Sequence, residues 1–144
     1  MSDAKLYDND IALWAERQAE ALRRHSGNEI DWENVAEEIE SLSRSDKRAI
    51  YNRLVILCQH LLKWQFQGGA RSKSWRSSVT EARSRIGRLL RESPSLRSYP
   101  AVVLVEAYAD GRKLALIETE IADLPQACPW TIEQMLDPDF WPES

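Results

Sequence analysis

Apolar residues recur at every third or fourth position through most of this 144-residue chain, the spacing that gathers them on one face of an α-helix. Ile11, Trp14, Ala15 and Leu22 predict a helix over 8–26. Asp8, Asn9 or Asp10 can cap its start, and Gly27 suits a left-handed end. From Asp31, an N-cap residue type, a longer stripe runs through Val35, Ile39, Leu42, Ile50, Leu54, Leu57, Leu61 and Trp64, and no Gly or Pro interrupts 32–67. Drawn straight, that helix would be about 52 Å long, against a globule roughly 37 Å across. The pattern therefore predicts a bend or break between Leu42 and Lys47, since Ser41, Ser43, Ser45 and Asp46 interrupt the stripe, or a helix that packs on another subunit.

Gly68-Gly69 stops this segment. Ser72 or Ser74 can cap a third helix running to about Glu92. Its apolar arc holds Trp75, Val79, Ala82, Ile86, Leu89 and Leu90, and its arginines lie on the other side. Pro94 ends it. Pro100 suits the first turn of a fourth helix carrying Val103, Leu104, Ala107, Tyr108 and Leu114, within which Gly111 marks either a weak point or a close approach. Thr131 and Gln134 form a candidate capping box for a short last helix. Ala101–Val105 is the one strand-like run, and no other segment offers it a partner. The fold class predicted is all-α, an antiparallel bundle of four main helices plus a short C-terminal helix and a packed tail. It forms a single domain with its core over about 7–141. Trp64, Trp75 and Trp130 are expected to be largely buried, and Phe140 and Trp141 to cover a groove.

Composition narrows the picture little: hydrophobic residues make up 43% and charged residues 29%, which excludes a disordered chain. No apolar run approaches the roughly 20 residues that span a bilayer, and no apolar segment follows the first residues as a signal peptide requires. Cys58 and Cys128 make no disulfide framework, so a cytoplasmic location is expected.

Charge changes the picture more. Residues 1–46 carry a net −7, residues 47–97 a net +10 and residues 98–144 a net −7. Two readings follow. The basic segment packs against acidic ones, or it presents a surface to a polyanion.

Candidate chemistry is sparse. His25 and His60 are the two histidines, and the residues three before them are Leu22 and Leu57, so the Glu-x-x-His pattern of di-iron bundles is missing. Cys58 and His60 are two apart and point to different sides of a helix. No phosphate-binding glycine loop is present. No metal and no cofactor is therefore expected. Asp46 sits in the phase of the apolar stripe, where a carboxylate needs partners. Arg76 and Arg83 flank the apolar arc of the third helix and can supply them. The candidate polar cluster is Glu37, Glu38, Asp46, His60, Arg76 and Arg83, read first as a structural lock and second as a pocket. Arg85, Arg88 and Arg91 are expected to stay in solvent.

Several motifs resemble a bacterial family of unknown function, the one numbered 29. They are Tyr7-Asp8 with Asp10 and Trp14, the run from Asp31-Trp32-Glu33-Asn34 to Ser41-Leu42, and His60 to Gln65. They continue with Ser74-Trp75-Arg76, Cys128-Pro129-Trp130-Thr131 and Asp137 to Trp141. Ser43, where a glycine is usual, and Gly68-Gly69, where a proline is more usual, depart from the pattern. The resemblance implies an all-α bacterial domain and no particular activity.

The expected role is a non-catalytic binding or protein–protein interaction module, with self-association included and no membrane partner. The alternative is nucleic-acid binding through Arg71, Lys73, Arg85, Arg88 and Arg91 in the basic segment 71–97. An enzyme using Glu38, His60 and Arg76 is the weakest reading.

Overall fold

A computed structural model describes residues 3–143, and among them no strand occurs. The helices are α1 (Asp3–Asn9), α2 (Ile11–Arg23), α3 (Trp32–Phe66), α4 (Lys73–Glu92), α5 (Tyr99–Thr119) and α6 (Ile132–Leu136), joined by single 3₁₀ turns at Gly27–Glu29, Gly68–Ala70 and Pro94–Leu96. The all-α class is thus the observed one. The strand-like Ala101–Val105 run is helical, because Pro100 seeds the first turn of α5 and no strand among the described residues is there to pair with it. The chain divides into two compact units, Met1–Ser45 and Asp46–Ser144.

The first unit differs from the expected single helix over 8–26. Helix begins earlier, at Asp3, and is interrupted at Asp10, which caps α2 by accepting from the Leu13 N–H at 3.1 Å. The left-handed residue after α2 is His25, with φ 57°, and Gly27 has no positive φ. Leu6, Trp14, Gln18 and Ala21 are buried, and the ring of Tyr7 meets Trp14 edge-on at 4.8 Å. Asp31 serves tertiary structure: its carboxylate accepts the Trp14 indole N–H at 3.0 Å and the Asn34 amide at 2.8 Å, while its carbonyl receives the Val35 N–H.

The helix α3 runs from Trp32 to Phe66 with no interruption. The break expected between Leu42 and Lys47 is absent. Ser41 places its hydroxyl on the Glu38 carbonyl of the preceding turn, at 2.7 Å, so it satisfies itself within helical geometry.

In the second unit the core gathers Ile50, Leu54, Leu57, Leu61 and Leu62 of α3, Val79, Ala82 and Ile86 of α4, and Ala107, Tyr108 and Ala115 of α5. Ser72 caps α4 by accepting from the Trp75 N–H, and Thr131 and Gln134 form the anticipated capping box on α6. Gly111 marks close packing: a Cβ there would stand 2.7 Å from the Cys58 Cβ and 2.7 Å from the Val55 carbonyl oxygen. Trp64 and Trp130 are buried as expected, but Trp75 is half-buried. It lies near the start of α4 and stacks under the Lys63 ammonium of α3, 4.7 Å from the ring centroid. Trp141 of the tail packs on Trp64, centroids 4.6 Å apart.

Candidate functional site

The stripe that defines α3 in the sequence is not buried along its whole length. In the first unit Trp32 is 60% exposed, Ile39 63% and Leu42 67%, with Val35 half-buried between them. Their spacing of three, four and three residues is that of a helix seam that receives a second helix. Between Trp32 and Leu42 the same helix carries Glu33, Glu37, Glu38 and Glu40 and no base. Sequence periodicity places Val35, Ile39 and Leu42 on one stripe with the residues that α3 buries farther along. The position of this stretch beside four glutamates, rather than its hydrophobicity, is the signal that it faces outward.

Among the described residues no hydrogen bond or ion pair joins two members of the candidate polar cluster. Glu38 accepts from the Tyr7 hydroxyl at 2.5 Å, and this bond is the main reason the phenol is pushed up to about 12. Glu37 pairs with Arg44 of its own helix at 2.6 Å. Asp46 is half-buried, and its carboxylate has no hydrogen bond or ion pair among the described residues. His60 is half-buried, its Nδ1 lies 2.9 Å from the Ile56 carbonyl, and burial holds its pKa below the usual value.

Arg83 turns inward, as its place at the edge of the apolar arc predicts, but its partners are not carboxylates. Its Nε donates to the Met135 carbonyl at 2.7 Å and its Nη2 to the Phe140 carbonyl at 2.6 Å. The residue is 6% exposed, and burial lowers its pKa. Here the tail competes with the acids: its helix end and the turn beyond it leave carbonyl oxygens to be satisfied. Arg76 does not turn inward. It stays exposed above two indoles, 5.5 Å from the Trp64 centroid and 5.3 Å from that of Trp141.

The basic segment is largely self-contained. Arg85, Arg88 and Arg91 are exposed, as are Arg71 and Lys73. Arg88 pairs with Glu92 at 3.0 Å. Arg71 donates to the Trp64 carbonyl at 2.8 Å and lies over the Trp64 ring. One ion pair links it to the acidic C-terminal segment among the described residues: the Lys63 ammonium meets Glu118, which also accepts from Gln59. Sequence reading missed Glu118. It falls on the same side of α5 as Gly111 and Ala115, one or two turns away, and that spacing is the signal that could have found it.

Both cysteines are free, and burial pushes both thiols up. Among the described residues no group of three His, Cys, Asp or Glu side chains is placed to hold a metal ion, and no helix is long and apolar enough to cross a membrane. The family model described as domain of unknown function DUF29 matches residues 6–141. Searches of curated proteins and of solved structures returned no match.

Proposed function

Because the chain belongs to the family described as a domain of unknown function, DUF29, we propose from its own residues that it is a binding module for a protein partner, which docks an amphipathic helix with basic flanks on the Trp32–Leu42 face of α3. The observation that carries this is the exposed seam of Trp32, Ile39 and Leu42 among glutamates. Large apolar side chains in a row are costly to leave in water, at about 25 cal/mol per Å². The charge beside them selects the occupant. A second copy laid along this stretch meets like charge, whereas lysines and arginines meet opposite charge. The exposed face of α5, with Val102, Val105 and Ile117, carries Glu106 and Lys113 together and so favours neither sign. The cytoplasm is the compartment we assign, since free cysteines persist in a reducing environment.

The test is fluorescence anisotropy with two labelled helical peptides, each with leucines at the seam spacing, one flanked by lysines and the other by glutamates. The basic peptide is expected to bind, and Leu42→Asp to abolish its binding without unfolding the chain. Equal binding of both peptides, or of neither, would remove the reading.

Nucleic acid held by Arg71, Lys73, Arg85, Arg88 and Arg91 is the less supported alternative. Arg71 is committed to Trp64 and Arg88 to Glu92. Lys73, Arg85 and Arg91 remain, and three phosphate contacts give a salt slope of only about −3. A measured slope of −6 or steeper for labelled duplex would reinstate it.

A further inference from the structure

The buried guanidinium of Arg83 is incompletely served. An arginine side chain stays protonated and offers five N–H donors. Nε and Nη2 each find a carbonyl, while Nη1 is buried with no hydrogen-bond partner. No carboxylate forms an ion pair with this guanidinium among the described residues. The acid whose charge acts on it is Asp137, and its Oδ1 already accepts from the Asp139 N–H. The guanidinium also lies over the Trp141 ring, 5.2 Å from its centroid, but a buried charge that faces two carbonyls and a ring and is paired with no carboxylate is costly, and a bound anion is the direct remedy.

Arg83 lines a groove of about 300 Å³ within the second unit. The helix α4 supplies Thr80, Arg83, Ser84, Gly87 and Arg91, and Leu136 and Pro138 supply the apolar wall. That volume is at the small end for ligand sites. The Arg91 side chain forms no hydrogen bond or ion pair among the described residues. Its Nη1 rests against Gly87, 3.2 Å from where a Cβ would be. Gly87 therefore leaves space for a second guanidinium at the groove, and no carboxylate belongs to the lining. Two arginines, two hydroxyls one turn apart and an apolar wall suit an anion with a non-polar body.

We propose that this groove is a binding site for a small oxyanion on an apolar body, a carboxylate or a phosphate monoester, held by Arg83 and Arg91 with the Thr80 and Ser84 hydroxyls. The proposal is independent of the docking face on α3.

The experiment is an NMR titration of the whole chain with benzoate, phenyl phosphate and inorganic phosphate, following the Arg83 Nε–H and the amides of Thr80 and Ser84. Saturable shifts are expected with at least one of the two aryl anions, and the tighter of the two identifies the head group. Arg91→Gln should weaken binding about tenfold, the loss of one hydrogen bond to a charged partner. Gly87→Ala, whose Cβ would stand 3.2 Å from the Arg91 Nη1 and so shift that group by a few tenths of an ångström, should weaken it less than Arg91→Gln does, while a denaturant melt shows the helix no less stable. These two variants keep the test open if Arg83→Met fails to fold. Shifts that rise linearly without saturating, a response to inorganic phosphate alone, or saturable binding that both variants leave unchanged would overturn the proposal.

Discussion

Gly111 and Cys58 meet without room for a single added carbon: a Cβ on Gly111 would stand 2.7 Å from the Cys58 Cβ. The same position would bring it 3.0 Å from the Gln59 backbone nitrogen. Neither obstacle is the far end of a flexible side chain, so α3 and α5 would have to part. Gly111→Ala is therefore expected to destabilise the protein by about 1–3 kcal/mol, although alanine favours helix. Equilibrium denaturation checks this. A neutral or stabilising result would mean that the helices are not in this contact.

Glu118 holds Lys63 and Gln59 together at a point where Lys63 is 8% exposed. Removing the carboxylate leaves a buried ammonium with the Trp75 ring as its neighbour. Glu118 is itself half-exposed, so solvent screening reduces the loss. Glu118→Ala is expected to cost about 1–3 kcal/mol, and Lys63→Met in that background to restore part of it. A double-mutant cycle with no coupling would show that the pair contributes nothing.

His60 makes stability depend on pH in a definite direction. Burial holds its folded pKa below the usual 6.5, with the Ile56 carbonyl opposing the shift, Lys63 adding to it and Glu118 opposing it. The unfolded chain therefore binds the proton more readily. Stability from this group is complete above about pH 6.5 and is lost as pH falls toward the folded pKa. His60→Gln should flatten the profile of denaturant midpoint against pH between about pH 5 and 7. An unchanged profile would assign the dependence to other groups.

Trp75 is another place where exposure decides magnitude. Its ring is half-buried, with Lys63 above it. Trp75→Ala is expected to cost about 1–2 kcal/mol, below the roughly 3–5 kcal/mol of a fully buried tryptophan. Denaturant melts separate the two values.

Much of the fold is legible because local signals agree with one another. Ser72, Pro100, Thr131 and Gln134 sit at helix starts where their chemistry predicts, and the apolar arc of α4 enters the core at Val79, Ala82 and Ile86. The failures are places where tertiary partners outweigh local pattern. Asp31 looks like a cap but is taken by Trp14 and Asn34. Arg83 looks like a partner for acids but is taken by the carbonyls of the tail. Periodicity states which residues share a face and not whether anything covers it. That is why Ile39 and Leu42 share the periodic stripe of the buried Ile50 and Leu54 and yet are exposed.

The most direct test of the docking face is photo-crosslinking in the cells that make this chain, with a photoreactive phenylalanine analogue at Ile39 and, as control, at the exposed Asn52 of the same helix. The expected result is one discrete protein adduct from position 39. Its crosslinked peptide should be an amphipathic helix flanked by lysines and arginines, and both position 52 and a Leu42→Asp chain should lose the adduct. Identical adduct patterns from positions 39 and 52, or an adduct from position 39 that survives Leu42→Asp, would contradict the account.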